Sequence, residues 1–331
     1  MRHRSSRMEI SQYRTVIDSD RRVSADRLDR VLARLELLVG PVISIERLSG
    51  GLTNENYRVR TSSADLVVRI APETSGLLAI DRVNEYENSI AAAEAGVGAP
   101  VVDHMEDPYV LVIAHLEGRT LSAKDLRECD CLERVAQACR VLHRARRFRN
   151  DFNMFAVQQG YLRLVLERGF RLPKGYLDFD DRIAVIRKAM SERPEKLVPC
   201  NNDLLAENFI DDGERVRIID YEYSGNNEPS FELGNIWSES NLSREQLESL
   251  VAYYYGLSGA ALREKVARAR LWGLMSKYGW TLWASIQASV AQIDFDFWSW
   301  GMEKYDRAVA ELEGPDLDGL LQDVAMSGSR L

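Results

Sequence analysis

Residues 201–223, NNDLLAENFIDDGERVRIIDYEY, bring together the side chains that phosphoryl transfer needs. A transferring phosphoryl group is densely charged, so catalysis consists of holding an acceptor hydroxyl in line and neutralising that charge, commonly with Mg²⁺. Hard oxygen donors suit this ion. Asn208 offers an amide oxygen, and Asp220, at the end of the apolar run Val216–Ile219, offers a carboxylate. Asp203, five positions before Asn208, is then free to orient the hydroxyl and take its proton. Asn and Asp also build turns and caps, so the spacing has two readings until other parts of the chain are added.

The interval from Asp203 to Asn208 is that of the loop H-R-D-x-x-x-x-N, whose Asp is a base and whose Asn binds metal. Two positions before the Asp, where that pattern has His, this chain has Asn201. Asn both donates and accepts, so it can keep part of a loop-organising network at shorter reach. Upstream, Ser49-Gly50-Gly51-Leu52-Thr53-Asn54 separates two strand-like runs. Its glycines would let backbone N–H groups approach phosphate oxygens, although a plain hairpin turn would look the same. Arg69 interrupts the apolar run Leu66–Ile70 and needs a partner, for which Glu85 on the following helix is the candidate. The plainer reading is an edge-strand Arg facing solvent. The glycine loop, Arg69 and Glu85 precede Asp203 in the order that a kinase uses.

Those residues need elements to position them. Residues 1–22 are polar and arginine-rich and read as a flexible basic tail. Ser24 can cap a helix whose apolar positions Leu28, Val31, Leu32, Leu35 and Leu38 recur near every 3.6 residues. Strands follow at Val42–Leu48, Asn56–Arg60 and Leu66–Ile70, with Gly50-Gly51 turning the first into the second. A helix runs from about Arg82 to Ala95, stopped by Gly96, and Tyr109–Ile113 reads as another strand. Beyond Gly118 the pattern is helical, with an apolar face of Leu132, Val135, Ala136, Cys139 and Leu142. Further helices begin near Ala156, Asp180, Arg244 and Ala261, interrupted by strands near Leu197 and Val216. The expected class is α+β: residues 23–116 as a small N-terminal nucleotide-binding lobe with an antiparallel sheet, and 117–331 as a large, mainly helical catalytic and substrate-binding lobe. A cleft between two lobes would be the default ligand site.

Composition narrows the partners. With 45% apolar and 28% charged residues in 331, this is an ordinary globular chain, and its net charge of −8 argues against nucleic acid while suiting a cationic substrate. No apolar run has the length of a membrane span, and the N-terminus lacks the apolar core of a signal peptide, so no membrane insertion and a cytoplasmic location are expected. Cys129, Cys131, Cys139 and Cys200 lack paired spacing and read as reduced thiols, and His143 reads as a packed helix-end residue.

The end of the chain is aromatic. Trp280, Trp283 and Gln287 share a helical face by their i, i+3, i+7 spacing. Such stripes are usually core, yet clustered aromatic faces are also what a quaternary ammonium needs. With GGLTNENYRV, LVVRI, Asn84-Glu85, HLEGRTL, NDLLAENFI, IIDYEYSGNN, FELGNIWSE and WTLW followed by Gln287 and Ile293-Asp294-Phe295, the chain resembles the choline/ethanolamine kinase family, within the aminoglycoside-phosphotransferase and protein-kinase-like fold, over about residues 46–300. The resemblance implies an ATP- and Mg²⁺-dependent small-molecule kinase acting on the hydroxyl of choline, ethanolamine or a related amino alcohol. Carried over by position, Asp203 is the base, and Asn208 and Asp220 bind Mg²⁺. Ser49, Gly50, Gly51, Thr53, Asn54, Arg69 and Glu85 handle the nucleotide. Trp280, Trp283, Phe295 and Trp300 wall the cation pocket, with Glu239 as counter-charge; the role of the acidic Glu222 stays open. Two alternatives remain: another alcohol or an aminoglycoside as acceptor, or, because of Asn201, a pseudokinase that binds a quaternary amine without turnover.

Overall fold

The apolar stripe near the N-terminus forms helix α1 (Arg22–Val39), whose Leu28, Val31, Leu32 and Leu35 are buried. They pack on one face of a sheet built from β1 (Val42–Leu48), β2 (Glu55–Thr61) and β3 (Asp65–Ile70). Strands β4 (Val101–Glu106) and β5 (Tyr109–Ala114) complete it in the order β1-β2-β3-β5-β4. The β1–β2, β2–β3 and β3–β5 pairs are antiparallel, and their register places Val59 opposite Leu66 and Val68 opposite Val112. Period-2 alternation then sends Arg69 to the other face. Because β3 is a central strand and Arg69 is buried, the solvent-facing edge reading does not hold.

The protein is described here by a computed structural model covering residues 22–48, 54–71, 78, 80–106, 109–128, 130–291 and 293–326. Its contacts divide the chain into two units: the described parts of Met1–Pro72 with Val102–His115, and of Glu73–Val101 with Leu116–Leu331.

In the second unit, Asp81 caps helix α2 (Arg82–Glu94) by accepting from the N–H groups of Val83 and Asn84. After β6 (Arg119–Thr120) come α3 (Ala123–Glu128), α4 (Leu132–Leu142), α5 (Met154–Arg168) and α6 (Asp180–Glu192). Four short strands follow: β7 (Val198–Cys200), β8 (Phe209–Asp211), β9 (Val216–Ile218) and β10 (Gly225–Asn227). They pair antiparallel as β7–β10 and β8–β9, so the two ends of the motif segment are held by short ladders. Helices α7 (Pro229–Ser240), α8 (Arg244–Tyr255), α9 (Gly259–Val290), α10 (Phe297–Leu312) and α11 (Leu317–Met326) complete the unit.

α9 is the axis against which α5, α7 and α10 pack. α7 meets it backbone to backbone: a Cβ on Gly234 would lie 2.1 Å from the Ala269 carbonyl oxygen, and one on Gly273 2.7 Å from that of Gly234. Next to this contact the buried Arg268 guanidinium donates to both Glu228 oxygens, at 2.8 and 3.0 Å, and Trp272 Nε1 donates to the same carboxylate at 2.9 Å.

Three readings need correction. α1 begins at Arg22, so Ser24 lies inside the helix rather than at its cap, and Leu38 is exposed because the buried stripe ends at Leu35. Cys131 is disulfide-bonded rather than reduced, whereas Cys139 and Cys200 are free and buried. The turn at Gly50-Gly51 falls outside the described residues.

Candidate active site

The segment 201–208 is shaped by buried amides and one carboxylate. Glu232, fully buried on α7, accepts the N–H groups of Asn201 at 2.7 Å and Asn202 at 2.8 Å. Asn202 adopts a left-handed φ of 69°, a conformation that Asn tolerates, and its side chain donates to the Tyr223 and Gly225 carbonyls. Asn201 ties the two halves of the motif together: Nδ2 donates to the carbonyls of Ile219 (3.2 Å) and Asp220 (2.7 Å), while Oδ1 accepts the Asp203 N–H (3.1 Å). Asn235, also on α7, accepts the Leu204 N–H at 2.6 Å. His143 is the packed helix-end residue expected, with Nδ1 2.6 Å from the Tyr254 hydroxyl and Nε2 3.8 Å from Glu232.

These bonds place the three motif residues. Asn208 donates Nδ2 to the Asp203 carbonyl at 2.7 Å, a bond that leaves its amide oxygen, among the described residues, free to serve as a ligand. Asp220 follows β9 with φ 65°, and carboxylate oxygens of Asp220, Glu222 and Glu85 lie within 4.8 Å of one another. Arg82 crosses this group, donating to Glu85 at 2.7 Å and to Glu222 at 3.3 Å. Asp203 is half-buried, and its carboxyl is pushed well above the usual carboxylate range by loss of water and by the charges of Glu239, Asp220 and Glu222, with Lys304 opposing them. Such a perturbation in an acidic cluster marks a functional-site candidate.

A cavity of about 240 Å³ has Asp81, Asn84, Asn150, Tyr161, Glu222 and Tyr223 in its wall. Tyr223 leads into the aromatic group: its ring packs edge-on against Trp280 at 4.9 Å, and its hydroxyl accepts Trp283 Nε1 at 2.7 Å. Trp283 in turn packs against Trp300 at 5.6 Å and Phe297 at 5.7 Å. Phe295 is exposed and, among the described residues, packs its ring on Phe297 at 4.9 Å. Glu239 is buried and paired, yet with the chain's own Lys304, whose ammonium also lies 4.1 Å from the Trp300 ring centroid.

The structure therefore brings together Asp203, Asn208, Asp220, Glu85, Glu239, Trp280, Trp283 and Trp300 within one unit. Asn54 and Arg69 are buried in the other unit, and Ser49, Gly50, Gly51 and Thr53 lie outside the described residues. Sequence reading gave no site role to Tyr223, Arg82 and Lys304, nor to Phe297, one of the aromatic residues near the end of the chain. Their signals were present: Tyr223 stands three after Asp220, Arg82 three before Glu85, and Lys304 four after Trp300, the i,i+4 spacing that puts two side chains on one helical face.

A small sheet-bearing unit and a mainly helical one with an acidic loop and strand end define a protein-kinase-like fold. Choline kinase LicA from Streptococcus pneumoniae shares that fold, with a TM-score of 0.72 at 23% identity over 86% of this chain and 98% of its own. A choline/ethanolamine kinase family protein from Mesorhizobium loti superposes with a TM-score of 0.79 at 32% identity, over 92% of this chain and 99% of that one. Protein LicA of Haemophilus influenzae is 28% identical over 277 residues, 80% of this chain and 78% of its own. The sequence model of the choline/ethanolamine kinase family matches residues 45–249. The chain belongs to the choline/ethanolamine kinase family, and its class is that of phosphotransferases with an alcohol group as acceptor.

Proposed function

We propose that the protein transfers the γ-phosphoryl group of ATP to the hydroxyl of choline, ethanolamine or a related amino alcohol. The observation that carries this reading is the build of the 201–220 segment: Asn201 accepts the Asp203 N–H while donating to the Ile219 and Asp220 carbonyls, and Asn208 donates to the Asp203 carbonyl, so the three motif residues are held together. The acceptor's oxygen forms the new bond to γ-phosphorus as the bond to the β–γ bridging oxygen breaks, and its proton passes to Asp203, releasing ADP. Asn201 holds that carboxylate's backbone against the end of β9, which weakens the binding-only reading that its departure from His suggested.

The donor set suits Mg²⁺: the Asp220 carboxylate and the Asn208 amide oxygen are hard oxygen ligands, with Glu222 and Glu85 close to Asp220. When bound, the ion neutralises phosphate charge. Arg69 and Glu85, with the glycine loop at residues 49–54, are proposed to position the nucleotide. Trp280, Trp283, Phe295 and Trp300 would enclose the substrate's cation, each good contact contributing roughly 0.5–2 kcal/mol, with Glu239 as counter-charge. A coupled assay for ADP across a panel of amino alcohols and a magnesium titration tests this. Acceptor-dependent, Mg²⁺-dependent ADP release is expected, and release that no amino alcohol stimulates would refute it.

A further inference from the structure

Lys304 already makes the contacts that a substrate's cation would be expected to make. Its ammonium donates to Glu239 Oε2 and lies 4.1 Å from the centroid of Trp300. The pair is not a surface ornament, since the two side chains are only 6% and 3% exposed. Glu239 is nonetheless half satisfied: Oε1 is buried with no hydrogen-bond partner among the described residues. A buried carboxylate oxygen without a donor is costly unless a ligand completes it. The neighbouring Lys277 is engaged elsewhere, paired with Glu311 and lying over Trp237.

We infer that Lys304 is a tethered stand-in for the substrate's cation: its ammonium occupies the Glu239–Trp300 site, and an amino alcohol's ammonium binds there by displacing it. The inference rests on the function proposed above. Two ammonium groups cannot share one carboxylate and one indole face in a site this dry, because their repulsion is barely screened. Lys has a flexible four-carbon stem, so its head can leave without moving α10. The displacement lowers apparent affinity by the fraction of molecules in which the site is open, so Lys304 sets both the KM and the preference among cations. A primary ammonium replaces the lost hydrogen bond to Glu239, whereas a quaternary one replaces it only with methyl contacts on the rings.

Tetramethylammonium, which has the charge and methyl shell but no hydroxyl, probes the site apart from turnover. By calorimetry on the full chain, Lys304→Met should bind it about tenfold more tightly than wild type, and the KM for choline should fall by a similar factor while that for ATP stays put. Lys304→Arg should act oppositely, because a guanidinium can donate to both Glu239 oxygens; tetramethylammonium binding should weaken severalfold. A folded Lys304→Met that binds the probe no better than wild type overturns the inference. If that variant does not fold, unchanged or tighter binding by Lys304→Arg overturns it. Turnover of an amino alcohol by wild type with a choline KM unmoved by either substitution sinks the displacement and leaves the proposed function standing. Absence of turnover in wild type and Lys304→Met alike removes the proposed function, while the tetramethylammonium comparison still decides the displacement.

Discussion

Loss of water, and after it the charges of Glu239, Asp220 and Glu222, raise the Asp203 carboxyl, which needs a higher pH than an ordinary aspartate to become the unprotonated base. A raised pKa means that the folded protein holds this proton more tightly than the unfolded chain, so the group favours folding at low pH and loses that contribution as pH rises through the folded value. For catalysis the sign is the reverse, because the deprotonated form is the active one. The acid limb of kcat/KM against pH is therefore expected above the usual carboxylate range. Glu239→Gln, which removes one of the raising charges, should shift that limb to lower pH; a limb that does not move would detach Glu239 from Asp203. Asn201 offers a second test at this scale. Asn201→Asp keeps the shape but turns the donor into a charged acceptor against the Ile219 and Asp220 carbonyls. It should destabilise by about 1–3 kcal/mol or more and lower kcat, read by denaturant unfolding and steady-state rates.

α7 shows how one element carries several of these residues at once. Glu232 and Asn235 hold the loop before Asp203, Glu239 reaches Lys304, and the helix gains its position by lying against α9 at Gly234 and Gly273. Gly234→Ala would drive a methyl into the Ala269 carbonyl, an atom of backbone that cannot step aside. It should destabilise by about 3 kcal/mol and lower activity more than its distance from Asp203 suggests; thermal unfolding indistinguishable from wild type would contradict the close approach. This helix was not legible in the sequence, for a physical reason: nearly all of its residues are buried, so it has no polar face to create a period. α10 and α11 were also missed. In contrast, α1 and α4 each present an apolar stripe against polar residues, and β3 is a short apolar run with one charge, so their outlines were readable. The site divided in the same way. Asp203, Asn208 and Asp220 are fixed by spacing along one segment, whereas the pairing of Glu239 with Lys304 joins two helices distant in sequence and leaves no local mark.

At the scale of the molecule, the mainly helical unit holds the acidic loop and the aromatic group together, so the two can be separated by substitution. Trp280→Ala or Trp283→Ala should raise the KM for the amino alcohol about tenfold or more while changing that for ATP far less, since each removes aromatic enclosure rather than phosphate contacts. Both rings are also buried, so each variant is compared at matched thermal stability. An equal rise in both constants would show general distortion instead. Among the described residues no helix is long and apolar enough to cross a membrane. The most direct test is to follow ³¹P NMR of the purified protein with ATP, Mg²⁺ and each amino alcohol in turn, beside Asp203→Asn. A phosphomonoester of an amino alcohol should accumulate with wild type and form at least a thousandfold more slowly with a folded Asp203→Asn, corresponding to about 4 kcal/mol in the barrier. No phosphomonoester on any amino alcohol, or equal rates from the two proteins, would contradict the account.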